Sequence, residues 1–235
     1  MQAIILAAGK GLRMRPLTEA VPKPLLKVGG KAILDRTIEA LPEEVDEVII
    51  VVNYLKDGII KHVQAAQYAV PVRFAEQDEL TGTATAVRAC EGLVAGSFLV
   101  INGDDLYRKE DLGKLLRFET GLLVKDVTQE GPYGTSQRRL GKIRFDGFGK
   151  LEGIDEGGEG RYLNIGAYIL DKSFFRTRPV RIANGEYGLP QTMIEMVRAG
   201  KDVRVAEADF WIPIGFPEDL EQADRFLEKE RHAQT

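Results

Sequence analysis

The sequence predicts an α/β protein: a mainly parallel sheet flanked by helices, carrying a small antiparallel lobe. Two patterns lead there. In the first half, short uninterrupted apolar runs alternate with amphipathic helical segments, as strands buried on both faces and joined by helical crossovers do. After about Gly121, glycine-rich turns separate short alternating runs, the mark of antiparallel or mixed pairing.

Taken in order, residues 3–7 read as a buried strand, 47–53 (EVIIVVN) as a second, 71–75 as a third and 97–102 (SFLVIN) as a fourth. Helical periodicity falls between them over 32–41, 55–66 and 83–90. The runs LLVKDVTQ, RLGKIRFD and RYLNIGAYILD form the lobe, attached to the same sheet. A helix is expected over Leu189–Arg198, a strand over 203–206 and a last amphipathic helix over 217–230. No repeat, low-complexity tract or long linker divides the 235 residues, which suffice for one sizeable core, so a single domain over 1–235 is expected.

Composition narrows the function classes. The net charge is -4, from 32 basic and 36 acidic residues well mixed, so no basic stripe marks nucleic acid as a partner. The one cysteine, Cys90, permits no internal disulfide, and a reduced, cytoplasmic setting is expected. The start, MQAIILAAGKG, does not read as a signal peptide, and no apolar run approaches the ~20 residues that span a bilayer.

The densest chemistry lies in LAAGKGLRMRPLTEAVPKPLL, residues 6–26. A buried strand ends in Leu6 and the small residues Ala7 and Ala8, then Gly9-Lys10-Gly11. Small residues admit a ligand to the backbone, and glycines let the loop curl around phosphates beyond a strand's carboxyl end. Lys10, Arg13, Arg15 and Lys23 concentrate positive charge there, against the acidic average. A lone Gly-x-Gly would read as a tight turn; four cations and Pro22-Lys23-Pro24 point instead to phosphate binding. The Walker loop is excluded, because no Gly-Lys-Ser/Thr stands at its spacing. The dinucleotide fingerprint is excluded too, because Leu12–Met14 stands where its third glycine would open a helix.

Asn102-Gly103-Asp104-Asp105 follows a buried strand. A carboxylate at such an end suits a hard cation beside phosphates, and it equally suits an Asx turn or a cap of the next helix. Gln77 and Gly82 read by themselves as a surface loop feeding the helix at Thr83.

These segments together closely resemble the sugar-1-phosphate nucleotidylyltransferases: L-A-A-G-x-G-x-R-M/L-x-P-L-T and then P-K-P-L. Later landmarks are Gln77 with Gly82-Thr83-Ala84, Asn102-Gly103-Asp104, Asn164-Ile165-Gly166-Ala167-Tyr168 and Gly215-Phe216-Pro217-Glu218-Asp219-Leu220. The resemblance implies a Rossmann-like mixed, mainly parallel sheet, without the C-terminal β-helix of many members. It implies that an NTP and a sugar 1-phosphate, in first place a hexose 1-phosphate, react on Mg²⁺ with release of pyrophosphate, and that self-association stays open. By the same resemblance Arg13 and Lys23 are the catalytic cations, and Leu6, Ala7, Ala8, Gly9, Lys10, Gly11, Gln77 and Gly82 bind the nucleotide. Asn102, Gly103, Tyr133, Glu156 and Asn164 would face the sugar, and Asp104 the metal. Both reactants are anions, so such a site works by positioning and charge neutralisation, and the attacking phosphate needs no general base.

Two positions depart from the family. Its Trp-x-Asp-x-Gly metal ligand is replaced by Pro213, in Trp211-Ile212-Pro213-Ile214-Gly215, with Asp209 nearby. Its Glu-Lys-Pro is Glu156-Gly157-Gly158 here, leaving Lys142, Lys150 or Arg161 to replace the lysine. These losses keep two other readings open: a catalytically weak sugar-nucleotide-binding regulatory subunit, and a cytidylyltransferase for a phosphorylated alcohol such as phosphocholine. Phe210 and Trp211 read as core, Cys90 as a buried small hydrophobe, and His62 and His232 as exposed helix residues.

Overall fold

The computed structural model describes residues 1–128, 141–155 and 160–233. In chain order its first elements are β1 (Gln2–Leu6), β2 (Lys27–Val28), β3 (Lys31–Ala32), α1 (Ile33–Glu39), β4 (Glu47–Val52) and α2 (Lys56–Ala65). Next come β5 (Val72–Glu76), α3 (Thr83–Arg88), β6 (Phe98–Asn102), α4 (Lys109–Gly113), β7 (Gly121–Asp126), β8 (Lys142–Phe145) and β9 (Leu151–Asp155). The last are β10 (Tyr162–Leu170), α5 (Ser173–Arg176), β11 (Val180–Arg181), β12 (Tyr187–Gly188), α6 (Leu189–Arg198), β13 (Arg204–Glu207) and α7 (Pro217–Ala233). The elements expected from periodicity are present, with ends moved by one to three residues.

The main sheet runs β13-β7-β10-β6-β1-β4-β5, with β8 and β9 branching from β10. β5, β4, β1 and β6 are parallel neighbours, as apolar strands joined by helices require. The antiparallel character expected after Gly121 resides in β10, which enters between β6 and β7, and in the β8–β9 hairpin. β7 joins the same sheet with mixed pairing, antiparallel to β10 and parallel to β13. The short elements β2, β3, β9, α5, β11 and β12 had no sequence prediction of their own.

Alternate strand residues feed two cores. Ile5, Ile50 and Ile101 meet Leu34, Ile38 and Ile59 of α1 and α2 on one face. Ile4, Ile49 and Val100 meet Ala84, Val87 and Met193 of α3 and α6 on the other. A third cluster joins Met14 and Ile33 to Phe210, Ile212, Ile214 and Ala223, clamping the 12–14 turn and the chain before α7 together.

Register places the site. Leu6 pairs with Val51 and with Asn102, and Val52 pairs with Glu76. The strands therefore end level, and the residues just beyond them, from Ala7, Asn53, Gln77 and Gly103, emerge at one edge of the sheet. Ligands of open parallel sheets bind at that edge.

Candidate active site

A cavity of about 640 Å³ opens there. Leu6, Ala7, Ala8, Gly9, Lys10, Gly11, Arg13 and Lys23 line it, and so do Gln77, Gly82, Asn102 and Asp104. The structure thus brings the loop, the three cations Lys10, Arg13 and Lys23, the amide and the carboxylate to one space.

The loop is held from beneath. Gly11 has φ 58°, and a Cβ there would lie 3.0 Å from Thr18 Cγ2 and 3.2 Å from Lys23 Cβ. Only glycine serves in that left-handed, crowded position. Thr18 is fully buried and donates through Oγ1 to the Gly11 carbonyl at 2.8 Å, while Tyr54 donates to the Thr18 carbonyl at 3.0 Å. A Cβ on Gly9 would meet nothing within 4 Å, so this glycine borders open cavity. Lys10 and Arg13 are exposed, and the Arg13 guanidinium lies 5.3 Å from the centre of the Phe216 ring.

Lys23 behaves differently. Its side chain is buried, and Nζ donates to Asp104 Oδ2 at 2.8 Å. Asp104 is more open and faces the cavity. Asp105 turns the other way. Its Oδ2 accepts from the Trp211 indole N–H at 3.1 Å and its Oδ1 from the Ile214 amide at 3.0 Å. Burial of the carboxylate, then the neighbouring Asp104 charge, pushes Asp105 up to about 7; Lys23 and the two donors oppose that rise. Its carboxylate does not cap α4, whose N-cap is Arg108 with no side-chain bond.

Away from these cations, Gln77 is buried, and its Nε2 donates to the Gly82 carbonyl and to Thr85 Oγ1, both at 3.0 Å. Both amide protons are used, so Oε1 is the acceptor left for a ligand. Gly82 has φ 119°, and a Cβ there would lie 2.4 Å from the Tyr187 carbonyl oxygen. Glycine at 82 is therefore demanded by the backbone of β12, whatever room a base also needs. Thr83 and Glu186 complete this wall. Glu186 reaches it from the turn between β11 and β12 and gave no signal in the sequence.

Comparison with known proteins adds to this geometry. The sequence profile described as Nucleotidyl transferase matches residues 2–230. The chain is a member of the nucleotidyl transferase family. It is 32% identical over 232 residues to "Bifunctional protein GlmU" of Methanocaldococcus jannaschii, covering 97% of this chain and 54% of that protein. It is 30% identical to "UTP--glucose-1-phosphate uridylyltransferase AglF" of Haloferax volcanii, covering 98% of each. It is 31% identical to "Bifunctional IPC transferase and DIPP synthase" of Aquifex aeolicus, covering 97% of this chain and 52% of that protein. The chain thus spans about half the length of the two bifunctional relatives and nearly all of the uridylyltransferase.

Nucleotidyltransferases of this family generally use a divalent metal. Among the described residues no group of three or more His, Cys, Asp or Glu is arranged to hold an ion. Asp104, with Asn102 on the same wall, still fits a hard cation that arrives with phosphates, because such ions need only one or two carboxylates from the protein. Lys23 shares that carboxylate.

The other positions singled out by sequence are placed elsewhere in the fold or play other parts. Gly103 is buried, its amide donates to the Leu6 carbonyl at 3.0 Å, and a Cβ would meet Ile5 and Leu6. Asn164 lies in β10 before an irregularity in its pairing with β7; its amide donates to Tyr168 Oη at 2.8 Å, and it is not among the residues lining the cavity. Tyr133, Glu156 and Gly157 lie outside the described residues. Asp209 is an exposed partner of Lys114 at 2.6 Å and not a cavity residue. Arg161 donates to Asp126 at 2.7 Å, and neither it, Lys142 nor Lys150 lines the cavity. Phe210, Trp211 and Cys90 are buried and His232 is exposed, in line with the sequence reading. His62 is not: it is half-buried, with Nε2 2.7 Å from Asp35. No helix among the described residues is long and apolar enough to cross a membrane.

Proposed function

We propose that this chain acts as one nucleotidyltransferase domain that transfers a nucleoside monophosphate from an NTP to a sugar 1-phosphate, in first place a hexose 1-phosphate. The observation that carries this reading is the polarity of the cavity. Loop 6–11 with Arg13 and Lys23 supplies backbone and positive charge, and Gln77 beside Gly82 supplies a fixed acceptor for a base. A sugar-phosphate oxygen attacks the α-phosphorus, the bond to the β-phosphate oxygen breaks, and pyrophosphate leaves. Lys23 sits where it can neutralise the reacting phosphates, and Arg13 offsets charge developing on the leaving pyrophosphate. Mg²⁺, held through Asp104 and phosphate oxygens, would supply further charge neutralisation. The name of the relative AglF, a UTP--glucose-1-phosphate uridylyltransferase, supports a phosphorylated-sugar acceptor.

The test is a pyrophosphate-release panel: UTP, dTTP, GTP and CTP crossed with hexose 1-phosphates and phosphorylated alcohols. Turnover with a sugar 1-phosphate, abolished by chelator and restored by Mg²⁺, is expected. Turnover confined to a phosphorylated alcohol would make the chain a cytidylyltransferase-like enzyme instead. A silent panel from folded, triphosphate-binding protein would leave a nucleotide-binding subunit.

A further inference from the structure

The chain before α7 is secured with unusual completeness for a loop. Asp111, buried, accepts the amides of Asp209 at 2.8 Å and Phe210 at 2.9 Å. Asp105 accepts the Trp211 indole and the Ile214 amide. Asp219, buried in the first turn of α7, accepts the amides of Gly215 at 2.7 Å and Phe216 at 2.8 Å. Between these anchors, Leu106 and Ile212 exchange backbone bonds at 2.9 and 3.1 Å. Pro213 has no N–H to satisfy. Two of the anchoring residues, Asp105 and Leu106, come directly after the cavity carboxylate Asp104.

This rigid segment ends at the site. Gly215 lines the cavity, and the Phe216 ring lies under the Arg13 guanidinium. Arg13 is exposed and otherwise has a long side chain with many rotamers to choose from. A fixed aromatic face reduces that choice and attracts the cation.

We propose that Asp105 is a positioning residue for Arg13: it fixes the 211–216 segment so that Phe216 holds the guanidinium toward the triphosphate. The proposal rests on the reading of Arg13 as a catalytic cation. It explains why a half-buried carboxylate is kept beside a second carboxylate, where it faces both desolvation and like charge. An amide replacement is a sharp probe, because asparagine offers one acceptor oxygen and an NH₂ group that would meet an N–H donor.

The experiment is a double-mutant cycle of Asp105→Asn with Arg13→Ala. It is read by calorimetric Kd for UTP, CTP, GTP and dTTP in turn, and by kcat. Trp211, the only tryptophan, gives an independent readout of the segment by its emission and quenching. In folded Asp105→Asn, emission should shift to the red, and triphosphate affinity and kcat should fall several-fold. In the Arg13→Ala background the same change should cost almost nothing, because contacts acting through one group are not additive. If Asp105→Asn does not fold, Phe216→Leu removes the ring alone and should show the same loss and the same non-additivity. Equal losses with and without Arg13, or unchanged affinity and emission in a folded variant, would overturn the proposal. The Kd arm needs no acceptor, so a failure of the assigned reaction would show separately, as absent turnover in the wild type.

Discussion

Replacing Lys23 by methionine isolates its charge from its bulk. The side chain is 8% exposed and its Nζ lies 2.8 Å from Asp104 Oδ2, whose own side chain is 37% exposed. A charge-assisted bond of this kind contributes about 1.5–3 kcal/mol. Asp104 can rehydrate, and methionine fills the buried volume without the cost of desolvating an ammonium, so the net loss of stability should stay near 1–2 kcal/mol. For a chain of this size that is a fall in Tm of roughly 2–8 °C. Catalysis should suffer far more: losing one cation beside the reacting phosphates costs ~3 kcal/mol, or a factor of ~100 in kcat. The two effects separate cleanly, because calorimetry follows the first and pyrophosphate release the second. The shared carboxylate adds a third consequence. Without Lys23, Asp104 loses that ion-pair partner, and Mn²⁺ should bind the nucleotide-free protein more tightly. A folded Lys23→Met protein turning over within about threefold of wild type would refute the placement of Lys23 at the reacting phosphates.

Gly82→Ala should destabilise the fold and weaken triphosphate binding, because its Cβ would lie 2.4 Å from the Tyr187 carbonyl at a φ of 119°; unchanged Tm and Kd would contradict that packing. The Arg161 side chain holds Asp126 down to about 2, below its ordinary value near 3.8. The unfolded chain then binds the proton more readily, so this contribution is present above pH ~3.8 and fades as pH falls toward 2. Arg161→Ala should move acid unfolding, followed by circular dichroism, to higher pH; superimposable acid profiles would rule this out. Burial pushes the Cys90 thiol up to about 12 and shuts it from solvent. It should resist a thiol reagent in the native protein and react on unfolding, and rapid native labelling would show that the turn after α3 opens.

Local pattern made much of this protein legible. Apolar runs alternating with helical periods give β1, β4 and β6 and their parallel order, because a strand buried on both faces must be apolar throughout; β5, with Arg73 and Glu76 exposed, is the edge strand beside them. Small residues and glycines after β1, with cations close behind, mark a candidate phosphate loop, because backbone approach and charge are local properties. Asp104 could be picked out because it stands just past a strand end, and Gln77 through the family resemblance alone. The direction in which a side chain at such an end points was not legible: Asp104 and Asp105 are adjacent and chemically alike, yet one faces the cavity and the other pins a segment 106 to 109 residues away. Nor was the pairing of Lys23 with a carboxylate 81 residues on, the entry of β10 between β6 and β7, or Glu186 on the cavity wall. Asp209, close in sequence to the segment that lacks the expected aspartate, is drawn off by Lys114. Periodicity records which side of an element is buried. It carries no record of which element lies opposite, and the partner of a polar side chain is decided only when distant segments are brought within hydrogen-bond reach.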